Sequence, residues 1–480
     1  MSLLNSPTYQ LQPSAQQVAL PTNYITDFNF LNQYLPDTFE KEFERYGNRS
    51  IASFMRMTSA EMPSSSDKII WTEQGRLHIK YVNCTSDGSA TDPTATITVG
   101  DVLDPSSQPL LGGAGGIGIR VGQTVVITAN NGTGANKGIV TAVDTSAATF
   151  DVAYYEAGGQ VFASAVACTV QIYGSEFKKG TTGMVGSLEA NDEFFETSPI
   201  IMKDHYEVSA SDMAQVGWVE VTTENGANGF LWYLKSEHET RLRFEDYMES
   251  AMLEAVPAEA TSGAVAAGYK GMEGVFYSVN EGGNVFGGGY PTVLSDFDLL
   301  VDRMDKQGAI EENVLFLNRN ASFAIDDMLA TLNGVGVGGT SYGLFDNSEQ
   351  MALNLCFTGF RRGYDFYKSD WKYLNDPTAR GGLPVSWSGS TTANTITGMM
   401  VPGGATTVYD QVLGKNAKRP FLHVRYRASE AENRRYKTWI TGSAGGAQTS
   451  DLDAMEVNFL TERAVCTLGR NNFFIFRYGS

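Results

Sequence analysis

One long stretch without helix breakers constrains the fold of this chain more than any other feature. Residues 228–256 contain no proline, and their single glycine, Gly229, stands at the start. Such a helix would be roughly 40 Å long, which suits a spine on which other parts of the fold lean. Apolar side chains recur at the three- and four-residue spacing of one helix face, namely Leu231, Leu234, Leu242, Phe244, Met248, Ala251, Met252 and Ala255.

The charged residues of this stretch define its expected polar side, which consists largely of Lys235, Glu239, Arg243, Asp246 and Glu249. Glu239 and Arg243 have the i, i+4 spacing of a helical ion pair in the favourable order. His238 lies on the apolar stripe, where a hydrogen-bonded packing histidine is expected. Pro257 closes the far end, and the N-cap candidates are Thr222, Thr223 and Asn225.

Composition limits the broad class of the protein. The chain has 480 residues, of which 42% are hydrophobic and 19% charged, so we expect two to four packed domains. The 51 glycines and 15 prolines indicate many turns between strands. A formal net charge of −19 disfavours a surface that adheres to nucleic acid, because phosphate binding needs concentrated Lys and Arg.

The cysteines and the N-terminus indicate a cytosolic setting. Cys84, Cys168, Cys356 and Cys466 are far apart and form no CxxC motif, which predicts no disulfide framework and a reducing compartment. The first residues lack the basic and apolar regions of a signal peptide. No stretch reaches the ~18 apolar residues of a membrane span.

The first part of the chain predicts an arm followed by a long hairpin. Residues 1–34 are polar and contain three prolines, as in an extended arm that is disordered or laid on a neighbour. Residues 36–46 form a short helix between Pro36 and Gly47. In the outgoing hairpin strand Leu77, Ile79 and Tyr81 alternate with polar residues, and residues 171–208 form the polar return.

Residues 85–170 differ in composition from both flanks. They are rich in Gly, Ala, Thr and Val and poor in charge. Short alternating strands follow one another, with turns at Asn131-Gly132 and Gly158-Gly159. We interpret this segment as a small β-barrel or β-sandwich inserted in the hairpin.

The chain after the long helix predicts an α/β region. A helix over residues 295–307 and a second over 320–332 flank a buried strand at 313–317. A glycine-rich loop occupies residues 334–343. Further strand regions are expected at 353–368, 395–408 and 421–427, and a closing pair of strands at 454–476, broken by a turn at 469–472.

Two glycine motifs were tested as chemical sites. Gly113, Gly115 and Gly118 spell GxGxxG, but strand-like residues follow where a dinucleotide site needs a helix. Gly339, Ser341 and Gly343 spell GxSxG, but a loop precedes Ser341 where a nucleophile elbow needs a strand. A serine hydrolase that uses Ser341, with His423 downstream, is therefore the disfavoured alternative.

No constellation of residues indicates a catalytic, cofactor or metal site, and we predict that the protein is not an enzyme. The histidines His78, His205, His238 and His423 form no HExxH motif or other paired spacing. Two interpretations remain open for the dispersed basic pairs, solvated surface or docking onto acidic patches of identical copies. These pairs are Lys178-Lys179, Arg361-Arg362, Lys418-Arg419 and Arg434-Arg435.

The order of these elements resembles the Hong Kong 97-type major capsid fold of tailed bacteriophages. Residues 314–329, VLFLNRNASFAIDDML, look like that family's axial-domain strand, loop and helix. Residues 457–476 look like its final strand pair, in which an acidic residue and an arginine, here Glu462 and Arg463, precede an apolar strand. Residues 28–51 also resemble capsid proteins of crAss-like podoviruses.

The resemblance implies an α+β fold with a defined domain order. It consists of an N-terminal arm with a short helix (1–48), the peripheral start and outgoing extended-loop strand (49–84), an inserted β domain (85–170), the returning strand (171–208), the peripheral domain with the spine helix (209–293), the axial domain (294–440) and closing peripheral strands (441–480).

The resemblance also implies a structural function. The subunit would assemble into pentamers and hexamers of an icosahedral phage head that encloses double-stranded DNA without sequence-specific binding. Its partners would be copies of itself and separate scaffolding, portal and decoration or head-fibre proteins, with no cofactor and no membrane. It would be assembled in the host cytoplasm and located in the virion capsid. An encapsulin-like compartment is the main alternative.

Overall fold

The computed structural model describes residues 60–478 except 75–77, 104–108, 111–116, 165, 187–191, 216–219, 223–227, 308–309, 335–358, 377, 381–383, 386–393, 411–414, 445 and 447. The arm and short helix expected over residues 1–48 therefore lie outside the described residues, as does Ser341. Within the described residues, no helix is both long and apolar enough to cross a lipid bilayer.

The described chain contains helices and strands and is an α+β protein. Its helices are α1 Ala210–Gln215, α2 Leu231–Glu254, α3 Gly263–Ala266, α4 Val275–Gly282, α5 Leu294–Gln307, α6 Arg319–Gly334 and α7 Lys372–Asn375. Its strands are β1 Ala60–Ser64, β2 Ile69–Gln74, β3 Lys80–Ser86, β4 Thr94–Thr98, β5 Asp101–Leu103, β6 Pro109–Leu110, β7 Gln123–Ala129, β8 Ala135–Asp144, β9 Thr149–Tyr154, β10 Cys168–Ser175, β11 Asp192–Thr197, β12 Ile200–Ser209, β13 Glu220–Thr222, β14 Asn228–Phe230, β15 Asn284–Phe286, β16 Glu312–Leu317, β17 Gly359–Arg362, β18 Tyr364–Asp370, β19 Pro384–Val385, β20 Asn394–Pro402, β21 Ala405–Asp410, β22 Lys415–Pro420, β23 Leu422–Arg427, β24 Lys437–Gly442, β25 Ala454–Thr467 and β26 Phe474–Tyr478.

The chain divides into two compact units. The first unit consists of Met1–Ser53, Ile201–Glu249 and Asn433–Glu462, and the second of Phe54–Ile200, Ser250–Glu432 and Arg463–Ser480. In the first unit, β24 pairs antiparallel with the first part of β25, and β12 is the other neighbour of β25. The core here includes Phe244 of α2, whose ring centroid lies 5.9 Å from that of Phe459 and 5.7 Å from that of Tyr436.

The long helix is present, but its start and its buried face differ from the sequence prediction. α2 begins at Leu231, directly after the two-stranded β13–β14 ladder, so Thr222 ends a strand and does not cap the helix. Thr223 and Asn225 lie outside the described residues. At 24 residues the helix is about 36 Å long.

The buried face of α2 contains both apolar and acidic side chains. Phe244 is buried, but so are Glu245 and Glu249, while Leu242 is half-buried and His238 is exposed. The predictions that His238 packs on the apolar stripe and that Glu249 lies on the polar side were therefore wrong. Leu242 was predicted to be buried and is half-buried. Within the predicted apolar stripe, Phe244 and Met252 are buried, so the packed face passes through these two residues and not through His238.

Arg243 has a charged partner outside its own helix. The Arg243 guanidinium pairs with Asp204 of β12, with 3.2 Å between Nη2 and Oδ2. On this helix an i, i+4 ion pair joins Arg241 to Glu245, with 3.4 Å between Nε and Oε1. Arg243 thus holds the helix to a strand of its own unit, a contact that local spacing could not indicate.

The second unit contains a closed β-barrel. Strands β10, β7, β8, β9, β4 and β3 pair antiparallel in that order, and β3 pairs with β10 to close the ring. The short strands β5 and β6 extend the sheet from β3. Its interior is filled by alternating apolar residues, including Tyr81, Ile97, Ile119, Val125, Ile127, Phe150 and Val152.

The barrel includes two strands that the sequence analysis placed in the hairpin. β3 and β10 pair through Gln171 opposite Lys80, so the barrel begins before residue 85 and continues past residue 170. The outgoing strand starts at Lys80, three residues after the predicted Leu77. Tyr81 is fully buried and Lys80 is exposed, so the predicted alternation is present here, but its buried side faces the barrel core.

A second sheet of the second unit carries the α/β region. Its strand order is β15-β26-β20-β16-β18-β17, with β19 attached to β20. Helices α5 and α6 pack on it, burying Phe297 and Ile325 in one cluster with Leu315, Phe366 and Phe476. The predicted helices at 295–307 and 320–332 and the buried strand at 313–317 are confirmed.

The closing strands belong to two different ladders of the second unit. The last part of β25 pairs antiparallel with β23, which pairs parallel with β1. After a turn in which Gly469 has a φ of 59°, β26 runs between β15 and β20 of the second sheet. The sequence analysis had grouped β26 with the closing strands, because its partners are distant in sequence.

Candidate assembly surfaces

The base of the hairpin is a two-stranded ribbon formed by β2 and β11, with two chemically different faces. In its antiparallel register Phe195 lies opposite Trp71, and Thr197 opposite Ile69. These four side chains form the inner face, which is wholly or partly buried, and the rings of Trp71 and Phe195 are 6.0 Å apart. The inner face is therefore the side on which the ribbon rests.

The outer face of the ribbon exposes apolar side chains. Ile70 is 55% exposed and Phe194 is 71% exposed, both on the face opposite to Trp71 and Phe195. Lys68 and Glu196 form an ion pair beside them. Large apolar side chains exposed on the outer face of a two-stranded ribbon are typical of a surface that another protein covers.

An arginine from the closing turn holds the inner face of the ribbon. The Arg470 guanidinium carbon lies 4.1 Å from the centroid of the Phe195 ring, and its Nη1 is 3.1 Å from Glu273 Oε1. The Gly469 amide donates a hydrogen bond of 2.7 Å to Glu73 Oε1 on the ribbon. Stacking and paired charges thus fix the base of the ribbon to the rest of the second unit.

Glu273 is the electrostatic partner in this anchor. Burial raises the pKa of Glu273, whereas the neighbouring Arg470 acts in the opposite direction. The Glu273 amide also hydrogen-bonds to Thr197 Oγ1 at 3.3 Å. Sequence analysis missed this anchor, because Glu273 and Arg470 are 197 positions apart and neither lies in a motif.

The return of the hairpin is irregular and exposed. Residues 173–186 are all exposed and leave regular structure after Ser175. Apolar side chains stand among them, at Phe177, Met184 and Val185. This exposed segment therefore presents apolar side chains to solvent and buries almost none of its own residues.

Short-range contacts order the start of this segment. Tyr155 donates a hydrogen bond of 2.6 Å to Glu176 Oε2, which raises the pKa of Tyr155 to about 12 because the carboxylate stabilises the phenol. Phe177 lies over Gly122, which has a φ of 89° and where a Cβ would approach the ring to 2.6 Å. The segment therefore leaves the barrel in a defined direction.

Several basic pairs have partners within the chain. Arg361 Nε lies 3.3 Å from Asp365 Oδ1, Arg362 pairs with Asp298, and Arg434 Nε lies 2.8 Å from Glu462 Oε2. Because these carboxylates belong to the same chain, the three arginines are less suited to docking between copies. Lys178 and Lys179 lie on the exposed segment and keep both interpretations open.

Of the residues considered as possible chemical sites, the structure describes Gly118 and the four histidines, whereas Gly113, Gly115 and Ser341 lie outside the described residues. Gly118 precedes a strand, β7, and its amide donates a hydrogen bond of 2.8 Å to the Tyr81 hydroxyl. His78, His205 and His238 are exposed, whereas His423 is buried. Among the described residues, no three His, Cys, Asp or Glu side chains are grouped closely enough to hold a metal ion.

Comparisons with known proteins give only distant structural likenesses. No family model matches the chain, and no curated protein matches it. A structure of Microbacterium phage Oxtober96 is similar over 92% of this chain and 95% of its own, with 9% identity and a TM-score of 0.38. The bacteriophage PhiM1 mature capsid is similar over 92% of this chain and 90% of its own, with 8% identity and a TM-score of 0.38.

A protein compartment is among the similar structures. The SrpI encapsulin of Synechococcus elongatus PCC 7942 is similar over 61% of this chain and 80% of its own, with 11% identity and a TM-score of 0.32. All three TM-scores are below 0.5.

Proposed function

We propose that this chain is the self-assembling major subunit of a tailed-phage head. In this role it forms pentamers and hexamers of an icosahedral shell that encloses double-stranded DNA. The observation that carries the proposal is the ribbon, whose outer face presents Ile70 and Phe194 to solvent while Arg470 and Glu273 fix its inner face. A second subunit that covers this outer face would remove its apolar area from water.

The exposed segment supports the same proposal. Residues 173–186 extend from the barrel with exposed Phe177, Met184 and Val185 and the basic pair Lys178-Lys179. On a chain with a net charge of −19, two lysines provide attraction between identical copies. Many such weak contacts made together hold a shell more firmly than any one of them.

The fold proposed with this function is the Hong Kong 97 type. The ribbon and the exposed segment serve as its extended loop, α2 as its spine helix, and the sheet covered by α5 and α6 as its axial domain. The barrel is a domain inserted in the extended loop and located outside the shell. The domain ranges given under Sequence analysis, the N-terminal arm and an origin in a crAss-like podovirus are parts of this proposal.

The proposed partners are those of a head in assembly. They are copies of this subunit and separate scaffolding, portal and decoration or head-fibre proteins, brought together in the host cytoplasm. Packaged DNA is enclosed without sequence-specific binding, as expected from the excess of 54 acidic over 35 basic residues. The subunit itself performs no enzymatic reaction in this proposal.

The direct test is assembly of the purified protein. Expressed alone or with its scaffold, the protein should form rings, tubes or closed shells in electron micrographs. Sedimentation should show a large species in equilibrium with subunits. A compact monomer at high concentration with scaffold supplied would contradict the proposal.

Matched variants locate the contact. Phe194→Ser removes an exposed ring from the ribbon and should leave the subunit folded while preventing assembly. Tyr269→Ser removes a similarly exposed ring, 70% exposed and outside the ribbon, and should leave assembly unchanged. Equal assembly of both variants would exclude the outer face of the ribbon as the contact.

An encapsulin-like compartment is distinguished by its contents. Both proteins would assemble, but shells isolated from infected or expressing cells should contain long double-stranded DNA if the subunit belongs to a phage head. A protein cargo without DNA would instead assign the chain to a compartment.

A further inference from the structure

Two cysteines occupy opposed positions on the strands that close the barrel. Cys84 of β3 and Cys168 of β10 are direct partners in the antiparallel ladder. Both side chains are fully buried in the barrel core, and opposed residues of an antiparallel pair share one face of the sheet. The Cys168 thiol donates a hydrogen bond to the Cys84 carbonyl oxygen, with 3.3 Å between Sγ and O.

The spacing of such a pair suits a covalent link. Opposed residues in an antiparallel ladder have Cα atoms about 4.5–5.5 Å apart. Disulfides join cysteines whose Cα atoms are about 4.4–6.8 Å apart. The backbone spacing of the pair is therefore compatible with a disulfide, although both cysteines are free thiols in the structure and the Cys84 thiol donates to the Val82 carbonyl oxygen.

The barrel interior keeps both thiols neutral. Burial raises the pKa of Cys84 to about 11 and that of Cys168 to about 12, because desolvation disfavours the thiolate. A thiolate, not a thiol, attacks a disulfide. Reaction therefore requires transient opening of the β3–β10 seam, and its rate should rise with pH.

We propose that Cys84 and Cys168 form a reversible disulfide that closes the barrel covalently when the protein meets a low-molecular-weight disulfide oxidant. This inference does not depend on the proposed function. One cysteine loses its proton and attacks a sulfur of the oxidant, releasing one thiolate and leaving a mixed disulfide. The second cysteine, also deprotonated, attacks the protein sulfur of that mixed disulfide and releases the other thiolate.

The reaction balances without a further reagent. Two protein thiols are oxidised to one disulfide, and the oxidant disulfide is reduced to two thiols that take up the two protons. In a reducing cytosol the pair stays reduced, and outside the cell it becomes oxidised. The covalent state of the barrel thereby records whether the protein has left a reducing compartment.

The experiment uses oxidised glutathione and a variant that isolates the pair. Cys356→Ser combined with Cys466→Ser leaves only Cys84 and Cys168. After incubation at pH 8, blocking of free thiols and digestion, mass spectrometry should find the two cysteine peptides linked. The melting temperature of the barrel should rise on the order of 10 °C and return after reduction with dithiothreitol.

The matched control retains a buried cysteine that has no cysteine opposite. Cys466 is also buried, with a pKa raised to about 12 by desolvation, but its ladder partner is His423. A Cys84→Ser variant that keeps Cys168 and Cys466 should form no link and show no melting shift. If the double variant folds poorly, peptide mapping of the unmodified protein under the same conditions decides the question.

Two results would overturn the proposal. One is that both thiols remain blockable after prolonged exposure to the oxidant, under conditions in which the urea-unfolded chain becomes linked. The other is that only mixed disulfides with glutathione form at Cys84 or Cys168. Either result would mean that the folded barrel cannot bring the two sulfur atoms together.

Discussion

At the scale of single residues, His423 is the buried member of the four histidines. It is 2% exposed, on β23 opposite Cys466, with Arg425 two residues away. Desolvation, followed by the nearby positive charge of Arg425, lowers the pKa of His423 to about 4. Its sequence context gave no such indication, because burial depends on strands that are distant in the chain.

The lowered pKa predicts acid sensitivity. Below pH 6.5 the unfolded chain binds a proton at His423, while the folded chain does not until about pH 4, so stability is lost across this window as pH falls. The loss should be on the order of 3 kcal/mol for this group. Urea unfolding at several pH values should show it.

The control separates His423 from other titrating groups. His423→Asn should flatten the pH dependence of the unfolding free energy between pH 6.5 and 4. His205→Asn, at an exposed site, should leave that dependence unchanged. Glu273 acts with the opposite sign, because its pKa is raised in the folded state. An unchanged slope in His423→Asn would contradict the assignment.

The arginine anchor gives a second prediction at this scale. Arg470→Ala leaves Glu273 buried beside an unstacked Phe195 and should cost roughly 3–5 kcal/mol of unfolding free energy. Arg470→Lys keeps the charge but loses the planar stacking, so its unfolding free energy should lie between those of the unaltered protein and Arg470→Ala. Adding Glu273→Gln to Arg470→Ala should recover part of the loss, and full additivity of the two changes would exclude the pair as a unit.

At the scale of elements, the sequence predicted individual helices and strands better than it predicted which strands pair with each other. Helices α5 and α6 and strand β16 follow from apolar periodicity, which acts over a few residues. The position of β26 between β15 and β20 does not follow from periodicity, because strand pairing depends on residues far along the chain. The ribbon was predicted, whereas the Arg470 anchor that orients it was not.

The packed face of α2 gives a prediction for this helix. Phe244→Ala removes a buried ring that stacks on Phe459 and should cost about 3–5 kcal/mol. Glu239→Gln, at an exposed position, should change stability by only ~0.5 kcal/mol or less. Leu242 is half-buried, so Leu242→Ala should cost less than Phe244→Ala in thermal or urea unfolding. The reverse order would mean that the packed face passes through Leu242 and not through Phe244.

At the scale of the whole molecule, the barrel has its own closed core. Its buried side chains come from residues 81–170, and its first and last strands pair with each other. Replacing residues 80–175 by a short Gly/Ser link should leave both the spine helix and the second sheet folded, because the barrel core is removed as one piece. Removing only residues 85–170 leaves parts of β3 and β10 without their core and should be more disruptive.

Circular dichroism and melting of the two deletion variants test this expectation. The 80–175 variant should keep a cooperative transition and the helical signal of the remaining chain. Global unfolding of that variant would show that the barrel core supports the rest of the molecule. Assembly of the folded variant in micrographs then measures what the barrel adds to the proposed shell.

The pairing of Lys80 with Gln171 has a consequence for the use of this protein. The chain enters and leaves the barrel at two backbone positions that lie about 5 Å apart, as directly opposed residues of an antiparallel pair do. Any foreign domain whose two ends lie side by side can therefore be spliced into this site without stretching the ribbon. A subunit that assembles would then carry one copy of that domain at every lattice position. The barrel site would thus serve for the display of other domains.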